Sequence, residues 1–327
     1  MQQNTEIVIK QGRDNKIDKI KFREYTIKYG ALVLLLLLII INSIMTPNFF
    51  KVATMWNILI QVTSIMLVGL GMTVVISSGG IDISVGAMMA IASIVGAKLL
   101  WLGVVPAIII ALLVAGCFGL FSGFLIAHFK IQPMIVTLGM MIAGRGIAQV
   151  INDAMLLNFT NPQFSSIGQS KLFGVVPIQV FIMAIAIAII YFVVKRMKFG
   201  RYVQSMGDNY KASRLSGINT FVTTLVIYGL CAVFAGAAGL IETARLSAAD
   251  ANAVGKFIEL DAIASVAVGG TPLSGGKANI FGTIVGALMM QIITVSVNMN
   301  NIPHSYSIVI KSIIIILALY IQRERTA

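Results

Sequence analysis

Apolar positions along the chain gather into ten runs, at about 29–45, 58–77, 83–101, 104–127, 133–152, 176–194, 221–241, 257–268, 278–297 and 306–321. A helix that crosses a bilayer needs about 20 mostly apolar residues. The pattern therefore predicts an all-α polytopic membrane protein with about ten transmembrane helices. The second run stops at Ser77-Ser78-Gly79-Gly80, the third opens just after it, and the eighth is short and ends at Gly269-Gly270-Thr271-Pro272. These three are the candidates for broken or re-entrant spans, and their ends are left open by the pattern.

The breaks differ in character. Residues 46–57 read as a short external connection with Trp56 at the interface, and 153–174 as a polar loop with almost no net charge. Residues 195–219 carry Lys195, Arg196, Lys198, Arg201, Lys211 and Arg214 against the single acid Asp208. Such a segment cannot lie in lipid and must project into water. Within it, 207–217 has the grammar of a short helix: Asp208 or Asn209 can cap its start and Gly217 can end it.

Composition agrees with the runs. The 327 residues are 58% hydrophobic and 11% charged, against roughly 25% charged in soluble chains. The net charge of +12 is read as charge collected on cytoplasmic loops during insertion, not as a nucleic-acid surface. Cys117 and Cys231 fall inside apolar runs and read as packing residues. Residues 1–28 are polar and mixed in charge, and no cleavage site follows them, so they are expected to form a cytoplasmic tail. With that tail inside, the internal segments hold about 17 Lys and Arg and the external segments about five (Lys51, Lys98, Lys171, Arg245, Lys256), an excess that orients the chain with both termini cytoplasmic. The expected organisation is tail 1–28, permease region 29–322 and tail 323–327.

Catalytic signals are poor. His128 and His304 lie far apart at the ends of runs, and no HExxH, CxxC or GxSxG occurs. A phosphate loop needs G-x-x-x-x-G-K-[ST]. Counting back from Lys277 puts Thr271 in its first position and Ala278 in its last, so no nucleotide site is expected, and no metal site or cofactor. The chain is not expected to hydrolyse ATP.

The informative ionisable residues are Asp82, Arg145, Glu242, Glu259, Asp261 and Lys311, because a charge at a helix centre costs about 2.5–3.5 kcal/mol on insertion scales. Asp82 has two readings, a cap for the third span or a pathway residue. Glu242, Arg245 and Glu259 read as an external rim, and Lys311 as half of a pair whose partner the sequence does not name. Asn57 and Gln61, with Asn152, Gln291, Asn298, Phe49 and Trp56, offer the amide and aromatic groups that suit a neutral polyhydroxylated solute, though each alone is also a common interhelical packing residue.

Residues 76–97 (ISSGGIDISVGAMMAIASIVGA) and 267–287 (AVGGTPLSGGKANIFGTIVGA) share an apolar run, a Gly-Gly pair, a following serine and a helix ending Ile-Val-Gly-Ala. Repeats with glycine-interrupted helices at matching places point to a transport pathway; two similar tight turns are the plainer reading. On this basis Gly79, Gly80, Asp82, Ser84, Gly269, Gly270, Asn57 and Gln61 are the candidate pathway or gating residues.

Three blocks then resemble one family: 71–90 (GMTVVISSGGIDISVGAMMA), 200–219 (GRYVQSMGDNYKASRLSGIN) and 259–289 (ELDAIASVAVGGTPLSGGKANIFGTIVGALM). In order and spacing they are similar to ribose-type permeases of bacterial ABC sugar importers, within a superfamily that includes branched-chain amino acid permeases. The likeness runs from about residue 29. It implies a multi-pass protein of the bacterial cytoplasmic (inner) membrane. The permease would pair with a second copy or a sister permease, receive a monosaccharide from an extracytoplasmic binding protein, and be driven by cytoplasmic ABC ATPase subunits. It also implies that Gly207, Asp208, Asn209, Lys211, Ala212, Ser213, Arg214, Leu215, Ser216 and Gly217 form the loop that couples to the ATPase. The long N-terminal tail and the Lys277–Asn279 pair depart from the pattern without selecting a sugar. The competing expectation is a stand-alone secondary transporter or channel, disfavoured by the scarcity of central acids; an intramembrane enzyme comes third.

Overall fold

The computed structural model describes residues 30–322. The expected tails, 1–28 and 323–327, and the basic residues counted in them fall outside that range. Among the described residues the helices are α1 (Gly30–Met45), α2 (Val52–Ser77), α3 (Val85–Lys98), α4 (Val104–Phe129), α5 (Pro133–Ile151), α6 (Pro162–Gln169), α7 (Ile178–Arg196), α8 (Lys198–Asp208), α9 (Tyr210–Leu215), α10 (Thr220–Leu246), α11 (Ile258–Val268), α12 (Ile280–Met299) and α13 (His304–Gln322). Every apolar run falls on a helix, because in lipid each backbone N–H and C=O must be satisfied within the segment. Six of them, α2, α4, α5, α7, α10 and α12, are long and apolar enough to cross a membrane unaided. The chain is an all-helical polytopic membrane protein.

Local signals set many helix starts. Proline stands in the first turn of α5 and of α6, where its missing N–H costs nothing. Asn161, Asn209, Asn219 and Asn279 each accept a hydrogen bond from the backbone N–H three residues on, satisfying a donor the helix leaves open.

Packing is centred on α10, which lies against α4, α3 and α2. Ala107, Ala111, Ala115, Gly119 and Gly123 recur every four residues on the buried face of α4. A methyl group on Gly119 would overlap Ala232 and the Tyr228 carbonyl oxygen of α10. Small residues in this spacing let two backbones approach where lipid supplies no hydrophobic drive. Hydroxyl pairs pin other contacts, Thr73 Oγ1 with Thr283 Oγ1 at 2.8 Å and Ser93 Oγ with Thr243 Oγ1 at 2.6 Å.

The structure separates the three suspected spans. α2 is continuous over 26 residues, about 39 Å at 1.5 Å per residue, so the second span is not broken. α3 and α11 have 14 and 11 residues, about 21 and 16 Å against a hydrocarbon core of about 30 Å. Irregular backbone adjoins them at 78–84 and 250–257, and within it Asp82, Ser84, Ala251 and Val254 are buried. The two broken ends meet, since a methyl group on Gly86 would overlap the Gly255 carbonyl oxygen. Arg145 Nη1 donates to the carbonyls of Ala251 (2.8 Å) and Val254 (2.6 Å), holding the second irregular segment in place.

Two connections differ from expectation. The expected plain loop at 153–174 contains α6 and short antiparallel pairings, β1 (Leu157–Asn158) with β4 (Ala248–Ala249) and β2 (Lys171–Leu172) with β3 (Val176–Pro177). Part of its backbone polarity is spent on the connection between α10 and α11, through β1 and β4, and part on the residues leading into α7, through β2 and β3. The basic stretch is almost wholly helical, carrying the end of α7 and all of α8 and α9. On α8, Gly200, Val203 and Met206 face the bundle.

The two similar segments make the same turn. After α2, Gly79 N–H donates to Ile76 O (2.9 Å) and Gly80 N–H to Val75 O (3.2 Å); after α11, Gly270 N–H donates to Ala267 O (2.9 Å) and Thr271 N–H to Val266 O (3.2 Å). Both are Schellman closures with one left-handed glycine, Gly79 at φ 83° and Gly270 at φ 84°. The equivalent residues are the first glycine of one pair and the second of the other, one position out of register with the alignment of the pairs by sequence.

Candidate coupling surface and polar pathway

α9 is a six-residue helix closed at both ends. Asn209 Oδ1 accepts from Ala212 N–H at 2.9 Å. At the other end Gly217, at φ 83°, lets its own N–H reach Arg214 O (3.2 Å) and Ile218 N–H reach Ser213 O (3.2 Å). Asp208 does not cap this helix; it is the last residue of α8. Ser213 Oγ, buried, bonds Ser205 Oγ at 2.8 Å, and the Tyr210 hydroxyl donates to Thr220 Oγ1 at 3.1 Å. These contacts fix one face of α9 to α8 and α10. Lys211, Arg214 and Leu215 face outward, with Leu215 89% exposed.

The root of this unit is a junction of glycines. A methyl group on Gly207 would overlap the Ser77 carbonyl oxygen and the Gly276 nitrogen. Gly276 N–H donates to Ser77 O at 3.0 Å and Ser77 Oγ donates to Lys277 O at 2.9 Å. Gly275 lies against Gly79 and Gly207, and a methyl on Gly276 would overlap Asp208 Oδ1. Three segments distant in sequence, the end of α2, the end of α8 and the segment before α12, thus touch backbone to backbone. Asn279 staples the last of them: its Oδ1 accepts from Gly282 N–H (3.0 Å), its Nδ2 donates to Gly269 O (2.7 Å) and its N–H donates to Thr271 Oγ1 (3.1 Å). The Gly276 N–H that a phosphate loop would aim at a ligand is spent on Ser77.

The other candidates divide into two groups. Gly79, Gly80, Asp82 and Ser84 share the segment between α2 and α3, where Gly80, Asp82 and Ser84 are buried and Gly79 is exposed, and Gly269 and Gly270 lie in the matching turn after α11. Asp82 makes a local turn, accepting from Ser84 N–H (2.9 Å) and Oγ (2.6 Å) on Oδ1. It is not the cap of α3; Ser84 holds that position without a side-chain bond. Asp82 Oδ2 and the Tyr228 hydroxyl are buried with no hydrogen-bond partner, and the space beside Gly80 is filled by that hydroxyl. Asn57 and Gln61 sit far from this group, in the opposite half of α2. Asn57 is exposed, whereas Gln61 Oε1 accepts from Gln291 Nε2 at 3.1 Å.

The structure names the partner that the sequence leaves open for Lys311. Lys311 Nζ donates to Asp261 Oδ2 at 2.8 Å, with both side chains mostly buried. Both residues had been singled out by their depth; only the contact of α11 with α13 joins them. Within the expected rim one member is buried. Glu259 is 9% exposed and approaches Gly86 and Arg145 where the broken helices meet.

Comparison with known proteins gives the context of this geometry. A family described as branched-chain amino acid transport system / permease component matches residues 54–319. The chain is 36% identical over 309 residues to the ribose import permease protein RbsC of Escherichia coli K12, covering 93% of this chain and 96% of that one. It is 36% identical over 304 residues to RbsC of Bacillus subtilis, covering 92% and 94%. It is 34% identical over 304 residues to the galactofuranose transporter permease protein YtfT of Escherichia coli K12, covering 90% and 89%. No solved structure matches the chain. The family match runs from the first turn of α2 into α13 and takes in both glycine turns, α8 and α9: this chain belongs to the branched-chain amino acid transport system / permease component family.

Proposed function

We propose that this chain is the transmembrane permease subunit of an ATP-driven ABC importer that moves a monosaccharide inward. Its relatives carry the names of ribose, galactofuranose, allose and fructose permeases. In this reading α1, α2, α3, α4, α5, α7, α10, α11, α12 and α13 form ten spans of a bacterial inner-membrane protein, four of them (α1, α3, α11 and α13) short in apolar length, with both termini cytoplasmic. The contacts support that alternation. Ser77, Gly207 and Gly276 meet at one end of the bundle. At the other, Thr46 bonds Asn300, Lys98 bonds the Ile151 carbonyl, and β1 pairs with β4. The basic face of α8 and α9 marks the first end as cytoplasmic.

The observation that carries the mechanism is the junction at Gly207. α9 offers Lys211, Arg214 and Leu215 to a soluble partner, and its root touches α2 and the segment leading into α12. A cytoplasmic ATPase subunit that grips α9 and moves on nucleotide binding would shift α8 against both helices as one body, with no flexible linker to absorb the displacement. Two packed arrangements of rigid elements, biased by the partner, are the usual basis of such a switch. The sugar would arrive from an extracytoplasmic binding protein and cross beside a second permease copy or a sister chain. The permease region 29–322 then needs no cofactor and no catalytic set.

Two outcomes are expected. Purified and reconstituted alone, the chain shows neither ATP hydrolysis nor proton-coupled uptake; with ATPase subunits and a sugar-loaded binding protein, vesicles accumulate labelled sugar only when ATP is supplied. Robust uptake without any ATPase would overturn the reading in favour of a secondary transporter. Gly217→Asp places a side chain at φ 83°, which costs about 1–2 kcal/mol for most residues and somewhat less for Asp, and adds a negative charge to the helix end that disfavours it. Uptake is expected to fall roughly tenfold, the equivalent of about 1.4 kcal/mol, with membrane insertion unchanged by immunoblot.

A further inference from the structure

We propose that the permease carries its own sugar-binding subsite, in the half of the bundle away from the Gly207 junction; this rests on the sugar-importer reading above. A cavity of about 230 Å³ opens there between α2, α10, α11, α12 and α13. It is lined by the bonded amides of Gln61 and Gln291, by the Asp261–Lys311 pair, by Glu242 with the cations Arg245 and Lys256, and by Phe257, so neither sign of charge has the wall to itself. Gln61 stands 16 positions before Ser77 on α2, about 24 Å along the helix axis, so the cavity and the coupling junction are separate places on one rigid rod.

Interhelical pinning accounts for the amide pair and the ion pair. It does not account for Glu242. Among the described residues its carboxylate makes no hydrogen bond or ion pair with another residue; Arg245 is near enough to act on it through space but is not bonded to it. A carboxylate in the wall of a membrane protein without a bonded partner is costly, and its open direction is the cavity. Both carboxylate oxygens accept hydrogen bonds, and two adjacent sugar hydroxyls can donate to them together.

The amides complete the complement. The single bond from Gln291 Nε2 to Gln61 Oε1 leaves the whole Gln61 NH₂ group, one Gln291 N–H and the Gln291 carbonyl oxygen free for a solute. Phe257, held at φ 64° at the start of α11 and 49% exposed, has the Lys256 ammonium over its ring at 5.5 Å from the centroid, and the rest of the ring can meet the apolar C–H side of a pyranose or furanose. Free donors, free acceptors and one aromatic face describe a neutral polyhydroxylated ligand. A free amino acid, whose own carboxylate would meet Glu242, is the alternative that the test must exclude.

The experiment uses the full importer complex in vesicles, with Cys117→Ala and Cys231→Ala as background. Ser64→Cys, on the cavity wall beside the proposed contacts, is exposed to a water-soluble thiol reagent with D-ribose, D-allose, D-fructose or leucine present. The expected result is labelling from the external side, slowed about tenfold by one of the sugars at about nine times its Kd and not by leucine. Glu242→Gln and Gln61→Leu are each expected to raise the KM for that sugar about tenfold while ATPase association and Vmax persist. No labelling, labelling that no sugar slows, protection by leucine alone, or unchanged KM in both variants each overturns the subsite. Sugar uptake by the wild type alongside any of these leaves the importer reading standing, whereas wild-type uptake of leucine and of no sugar overturns both.

Discussion

Gly207→Arg is expected to abolish sugar uptake while the chain still inserts and accumulates in the membrane. The physical reason precedes the arginine. Even the first side-chain carbon overlaps the Ser77 carbonyl oxygen and the Gly276 nitrogen, and both are backbone atoms that cannot swing aside. The end of α8 must then lift off α2 and off the segment before α12. Overpacking of this kind costs about 1–3 kcal/mol, too little to unfold a bundle whose long helices are held elsewhere. The connection from α9 to α2 and to the segment before α12 is broken nevertheless, while the contacts of α9 with α8 and α10 remain. Coupling free energies of about 1–3 kcal/mol correspond to effects of roughly 5–150-fold, and the loss should lie at the top of that range because two contacts of α8 are lost together. Gly139→Ala is the control: its added methyl meets nothing within 4 Å, and uptake should be unchanged. Normal uptake by the Gly207 variant, measured beside an immunoblot of membrane content, would sink the coupling role.

Lys311→Met should produce the largest loss of stability from a single substitution of a charged residue. It leaves the Asp261 carboxylate mostly buried and without its cation, and breaking a buried pair by removing one partner costs about 3–5 kcal/mol. That predicts a drop in thermal midpoint on the order of 10 °C. Asp261→Asn should also destabilise, by stranding the ammonium. The double variant Asp261→Asn/Lys311→Met should recover most of the loss, since two neutral side chains can pack together without a charge to hydrate. The measurement is a double-mutant cycle on thermal unfolding in detergent. Additive losses, with no recovery in the double variant, would mean that the 2.8 Å contact does not couple the two helices.

Some of this protein is local and therefore readable along the chain. Lipid obliges each span to satisfy its own backbone, so apolar run and helix coincide for α4, α5, α7 and α10. Caps are equally local. Asn209 and Gly217 announce α9 because the cap side chain and the left-handed turn act within four residues of themselves. The absence of a phosphate loop at Lys277 is legible for the same reason. By contrast, the misplaced cap at Asp208 shows where local grammar runs out. Aspartate and asparagine are equally good caps, and only the packing of Asp208 against Gly276 assigns it to the end of α8.

What had to wait for the assembled bundle is whatever depends on partners far along the chain. α2 and α3 flank the same Ser-Ser-Gly-Gly break, yet one is a continuous 26-residue helix and the other a 14-residue remnant. Burial at Asp82 and the Arg145 bonds to Ala251 and Val254, not composition, hold the irregular backbone beside α3 and α11. Lys311 gave no hint that Asp261 was its partner, and Gln61 none that it would bond Gln291, 230 positions away. Gly207 read as the first residue of the expected coupling loop, with no partner named for it. Its meaning lies in Ser77 and Gly276, which reach it from opposite parts of the chain. The alternation of runs, the helix ends and the sign of the exposed loops follow from forces acting over a few residues. Which helix meets which, and hence how α9 is joined to α2 and α12, follows from close approach between segments that nothing in their own residues pairs.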